Sequence, residues 1–133
     1  PFLMYIDTTI IWYLVKKKIP NNCNYVLIDR YIYDILIDII ISTKKYNFHE
    51  TKLGRLFLHI IPKDMIVFYF SADYDEIKKR RSDLRTDKWL EERIKLYEML
   101  VPSFNINSIE ASNSPIKINE KITSHIKLIE ESK

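Results

Sequence analysis

The chain has 133 residues, 47% hydrophobic and 29% charged, with 21 basic against 18 acidic side chains and a net charge of +3. That length holds one domain with one sizeable core, and so small an excess of positive charge does not by itself argue for nucleic acid, although the clustered basic residues leave room for local patches. A single cysteine, Cys23, excludes a disulfide framework and makes a reducing, cytoplasmic compartment the expectation, and no apolar run reaches the ~18 residues of a membrane span, so no membrane partner is expected.

The chain opens on Pro1 with no readable signal peptide. Residues 3–18 carry apolar side chains at Leu3, Ile6, Ile10 and Leu14, and again at Ile11 and Val15, which is helical spacing. Lys16, Lys17 and Lys18 suit the negative end of that helix, and Pro20 stops it. Asn21 and Asn22 make a turn into YVLI (25–28), a short continuous apolar run that predicts a strand buried on both faces. Residues 31–45 and 53–61 predict helices, the second closed by Pro62, and MIVFYF (65–70) predicts a second buried strand. A short basic helix over 74–82 follows, then a longer one from Thr86 to Val101, ended by Pro102. FNINSIEA (104–111) predicts a third strand, and Asn113 or Ser114 caps a last helix over 115–131 with Pro115 near its first position. Short strands separated by helices indicate an α/β layer fold with a parallel sheet, in which ligands gather at the carboxyl ends of the strands.

Two constellations carry chemistry. Asp29 and Arg30 end the first predicted strand, and spacing by four puts Arg30, Asp34, Asp38 and Ser42 on one stripe of the following helix. A solvated stripe with an ordinary Arg–Asp pair explains Asp34 and Asp38, whereas a charged pair directly closing a buried strand calls for a phosphate or a metal to solvate it. The second constellation is EIKKRRSDLRTDK, where Lys78, Lys79, Arg80, Arg81, Arg85 and Lys88 follow the second strand. Arg forks can spread positive charge over transferring phosphoryl oxygens. A basic helix face balanced by Asp75, Glu76, Asp83 and Asp87 explains the same residues without a ligand, and contact with RNA is a third reading that lacks interleaved aromatics. His49, His59 and His125 are too scattered for metal-ligand spacing, and Trp12, Trp89 and most tyrosines fit packing.

IDRYIYD resembles the Asp-Arg-Tyr signature of thymidylate kinases and thymidylate kinase-like proteins, which are P-loop nucleoside monophosphate kinases. IPKDMIVFYFSADYDEIKKRR is similar to that family's Pro-Asp turn, fourth strand and arginine-ending helix. RRSDLRTDKWLEERIKLYEML stands where the family carries its phosphate-covering lid (about 78–90), and NSIEASNSPIKINEKI resembles the last strand, the adenine-side loop and the terminal helix. The resemblance implies a three-layer α/β/α P-loop kinase fold with a parallel sheet, a single domain over 1–133, and ATP-dependent phosphoryl transfer to a nucleoside monophosphate resembling dTMP. It implies that Arg30, with Tyr31 and Asp34, holds the acceptor, and that Asp29 orients it or holds Mg²⁺ through water. Arg80 would lie near the base and phosphates of ATP, Arg81 and Arg85 would act from the lid, and Ser112 and Ser114 would pass the adenine. Asp34 stands where family members often carry Ser, and Thr8 and Thr9 stand where an arginine is expected.

Gly54 is the only glycine, so neither a G-x-x-x-x-G-K-[ST] nor a G-x-G-x-x-G loop occurs within these residues. The chain therefore reads as the C-terminal two thirds of such a kinase, with its first strands and Walker A loop upstream of Pro1 and no turnover alone. A degenerate, non-catalytic domain that binds a nucleotide or a partner protein is the second reading, and a homodimer is left open.

Overall fold

The computed structural model describes residues 1–80, 87–104 and 106–131. The chain divides into two compact units, Pro1–Lys63 and Asp64–Lys133.

The first unit is helical. Helix α1 spans Phe2–Lys18 and α2 spans Ile32–Thr43, followed by a single 3₁₀ turn at Phe48–Glu50 and helix α3 at Lys52–His59. Helix α2 is apolar on nearly every side and is accordingly central, with Ile32, Leu36, Ile37, Ile39, Ile40 and Ile41 all buried. Phe57 of α3 is fully buried beside Phe48, their ring centroids 6.3 Å apart. Thr51 caps α3 by accepting from Gly54 N at 3.1 Å while its hydroxyl donates to Phe48 O at 2.6 Å. Gly54 is buried, and a Cβ there would lie 2.1 Å from Phe48 O and 2.8 Å from His49 Cα. The sole glycine of the chain thus serves a close approach of α3 to the 3₁₀ backbone.

Two expectations are corrected in this unit. YVLI (25–28) forms no strand: Tyr25, Val26 and Leu27 are exposed, and the sheet among the described residues has only two strands, both elsewhere. A ladder needs a neighbour to take its N–H and C=O groups, and the apolar run alone does not supply one. On α1 the predicted apolar stripe is the outward one. Leu3, Ile6, Ile10, Ile11, Leu14 and Val15 are exposed, while Thr8 is buried, Tyr5 sets its ring edge-on to Phe57 at 5.4 Å, and Trp12 lies 5.4 Å from Tyr31. Aromatic rings bury more surface than aliphatic side chains, and the 5–8–12 face took the interior.

The second unit holds the sheet. Strand β1 (Phe68–Ser71) pairs in parallel with β2 (Asn107–Glu110), with Phe68 opposite Asn107 and Ser71 opposite Glu110. Helices α4 (Tyr74–Arg80), α5 (Leu90–Ser103) and α6 (Pro115–Glu131) complete it. Leu90, Leu96, Leu100, Ile106 and Ile109 are its buried apolar residues, and Tyr69 stacks on Tyr97 with centroids 4.9 Å apart. Helix α5 runs through Pro102 to Ser103, past its expected end, because a proline in a last turn forfeits one hydrogen bond without breaking the turns before it. Asp87 Oδ1 accepts from Trp89 N at 2.9 Å and turns the chain into α5 at Leu90, four residues after the expected start at Thr86. Helices with a parallel sheet make the fold α/β in the coarse sense.

Candidate functional site

The most constructed polar arrangement lies at the carboxyl end of the parallel pair. Glu110 and Ser71 end their strands in register, and Ala111 N donates to Ser71 O at 2.7 Å, so the backbone after β2 is held against the end of β1. The chain then turns. Asn113 donates to Glu110 O through its backbone N at 3.3 Å and through Nδ2 at 2.9 Å. Ser114 Oγ accepts from Lys117 N at 3.4 Å, which makes it the cap of α6, with Pro115 at the first helical position. Ser112 and Ser114 are both exposed on this loop.

Arg80, at the end of α4, reaches the same loop. Its Nη1 donates to Ala111 O at 3.0 Å, and its Nη2 donates to Glu76 Oε1 at 2.6 Å, one helical turn back. The fork is therefore aimed by a carboxylate on one side and a backbone carbonyl on the other. About half of the Arg80 side chain is exposed, so one face of the guanidinium remains open to a ligand. Arg80, Ser112 and Ser114, proposed from sequence for the ATP side, are thus brought to one strand end. Spacing alone pairs Glu76 with Arg80, but no sequence signal marks Ala111, which contributes only a carbonyl. Arg81 and Arg85 lie outside the described residues.

The residues expected from sequence on the acceptor side lie in the first unit, at the start of α2. Asp29 and Arg30 are exposed, and Arg30 adopts φ of +57°. This left-handed turn, not a strand end, carries the pair into the helix. Arg30 consequently stands outside α2, and the expected four-residue stripe reduces to Asp34, Asp38 and Ser42. Asp34 is the third helical residue, and its Oδ2 accepts from Tyr31 N at 3.2 Å, satisfying an orphan donor at the helix start. The carboxylate that departs from the family pattern is therefore a helix-capping group. Ser42 donates to Ile39 O at 3.0 Å. The Tyr31 hydroxyl is buried without a hydrogen-bond partner among the described residues, and burial pushes its pKa above the ordinary tyrosine value. Burial does the same at Tyr33.

Among the described residues no three of His, Cys, Asp and Glu gather into a metal-holding group, and no helix is long and apolar enough to cross a membrane. Asp29 offers a single exposed carboxylate, which fits the way Mg²⁺ is held by one or two carboxylates, several waters and substrate phosphates. Comparisons with protein-family models, curated proteins and solved structures gave no match to this chain.

Proposed function

We propose that the chain is part of a P-loop nucleoside monophosphate kinase of the thymidylate kinase-like type, transferring the γ-phosphoryl group of ATP to a dTMP-like acceptor. The observation that carries this reading is the bond from Arg80 to Ala111 O, which joins an arginine-ending helix to the loop after the last strand. Donor and acceptor residues matched by separate stretches of sequence would then have separate tasks. Arg80 and the backbone around Ser112 and Ser114 would receive the base of ATP, with Arg81 and Arg85 covering its phosphates. Arg30 would grip the acceptor phosphate, with Tyr31 and Asp34 shaping the turn that presents it, and Asp29 would take Mg²⁺ through water. Positioning and charge carry this chemistry, since phosphoryl transfer asks little covalent work of the protein.

The test is ATP consumption by the full-length gene product against a panel of nucleoside monophosphates. Arg30→Ala is expected to lower kcat/KM at least about tenfold, the scale of one charge-assisted hydrogen bond. Turnover equal to the unaltered protein would remove the assignment.

A second reading rests on Gly54. The only glycine of these residues is consumed by helix packing, so nothing within them can form a Gly-rich phosphate cradle. A non-catalytic, kinase-like domain that binds a nucleotide or a partner protein follows if the full-length product binds nucleotide and turns none over.

A further inference from the structure

Two exposed apolar surfaces meet at the carboxyl end of helix α1. The first is the outward face of the helix itself. Tyr5, Thr8 and Trp12 turn inward, whereas Phe2, Leu3, Ile6, Ile10, Tyr13 and Leu14 are 39 to 80% exposed. At roughly 200 Å² for each whole side chain these six leave about 700 Å² of apolar surface, more than the ~300–600 Å² of a typical monomer's largest patch. The second surface is the run that follows the helix. Cys23 N donates to Pro20 O at 3.0 Å and its Sγ donates to Tyr25 O at 2.9 Å, which fixes the turn. Tyr25, Val26 and Leu27 then line one open cleft of about 390 Å³ with Val15, Lys18 and Ile19, so the two surfaces are continuous. Leu27 is 96% exposed.

We infer that these surfaces form a membrane-contact face, on which the protein lies against an anionic bilayer with α1 in the interface. Lying on a bilayer, unlike crossing it, needs no ~18-residue apolar run. Charge is the first argument. From Pro1 to Ile28 the only acidic side chain is Asp7, while Lys16, Lys17 and Lys18 stand together where the two surfaces join. The same bias holds for the whole unit: Pro1–Lys63 has nine basic and five acidic side chains, against twelve and thirteen in Asp64–Lys133. The unit with the apolar surface thus carries all of the net positive charge, and lysines clustered beside apolar anchors are drawn to anionic headgroups. Shape is the second argument. A projecting side chain such as Leu27 needs a matching pocket on a protein partner, whereas acyl chains close around any apolar form. The third is the pairing of Lys17 with Tyr13, whose ring centroid lies 4.5 Å from Nζ. A tyrosine ring and a long-stemmed cation at the edge of an apolar face suit the headgroup level, where the stem is buried and the charge stays in water. The inference uses only the first unit and stands independently of the kinase reading.

Co-sedimentation of the protein with sucrose-loaded vesicles tests it. Pelleting is expected with a roughly two-to-one mixture of phosphatidylcholine and phosphatidylserine, and at least about tenfold weaker partitioning with phosphatidylcholine alone or in about 0.5 M salt. The double variant Ile10→Glu, Leu27→Glu, at exposed positions, should lower the partition coefficient at least about tenfold while leaving the far-ultraviolet circular dichroism unchanged. The triple variant Lys16→Gln, Lys17→Gln, Lys18→Gln should lower it by a similar factor, about tenfold or more. A protein that ignores the anionic vesicles overturns the inference, whether or not it self-associates or binds another protein. Equal partitioning to both kinds of vesicle, pelleting without vesicles, or binding indifferent to the two glutamates overturns it equally. Because the vesicle comparison needs no substitution, a variant that fails to fold leaves the central measurement intact.

Discussion

Arg80 and Ala111 are 31 residues apart and are joined by a 3.0 Å hydrogen bond from the guanidinium Nη1 to the backbone carbonyl. Glu76 holds the other arm of the fork, so the arginine's direction is set within α4 before it meets the loop. Arg80→Lys keeps the charge and loses the planar fork. It is expected to weaken ATP binding by the full-length product about tenfold, read by calorimetric titration, while lowering stability by no more than ~1 kcal/mol at so exposed a site. Unchanged affinity would separate this contact from the nucleotide.

Gly54 decides the packing of α3. A methyl group at this position must enter space already held by Phe48 O, and backbone cannot swing aside as a flexible side chain can. Gly54→Ala is therefore expected to destabilise the first unit by at least about 2 kcal/mol, despite alanine's higher helix propensity. Chemical denaturation followed by circular dichroism measures it. A stabilised variant would mean that α3 does not approach the 3₁₀ turn this closely.

The sequence marked the helices because each has an apolar period or a breaker to announce it: Pro20, Pro62 and Pro115 lie at the boundaries they were expected to set. It also marked β1 and β2, but in shorter form: they cover Phe68–Ser71 and Asn107–Glu110 where strands over 65–70 and 104–111 were expected, and β1 is half-buried with Phe70 exposed rather than buried. YVLI misled because apolar content predicts burial only when something packs against it, and pairing is a property of two segments. The face of α1 misled for a related reason: periodicity finds a stripe, but two stripes on one helix compete, and Phe57 and Tyr31, distant in sequence, selected the one bearing Tyr5 and Trp12. At the candidate site the charged residues were legible from their types and spacing. Backbone contributions were not, neither the Ala111 carbonyl nor the left-handed turn at Arg30.

Burial and the nearby Glu98 carboxylate both raise the pKa of Tyr69 above its ordinary value of 10.0, burial being the larger cause. The folded state therefore prefers the neutral phenol more than the unfolded chain does. The stabilisation is complete below the unfolded pKa and is lost as pH rises from there through the folded pKa. Stability of the second unit should fall in strongly alkaline solution, and Tyr69→Phe should flatten that fall while leaving stability near neutrality within about 1 kcal/mol. Tyrosinate absorbance read against denaturation midpoints checks it; equal alkaline slopes for the two proteins would exclude Tyr69 as the source.

Arg30 and Lys44 bracket α2, and both hold φ above +55°, at +57° and +56°. A side chain in this region is strained by contact of its Cβ with the backbone, and glycine relieves the strain at some entropic cost. Each substitution to glycine should accordingly stabilise the protein by about 0.5–1 kcal/mol. Function divides them. Lys44→Gly relieves a strained helix cap at a residue assigned to neither nucleotide, so phosphoryl transfer by the full-length product should be unaffected. Arg30→Gly should gain the same stability and lose at least about tenfold in kcat/KM, because the strained residue is also the one assigned to the acceptor phosphate. Strain retained at an exposed arginine has a reason only if the side chain has a task. Should both variants be stabilised and equally active, Arg30 has none, and the left-handed turn is a feature of the chain's path alone.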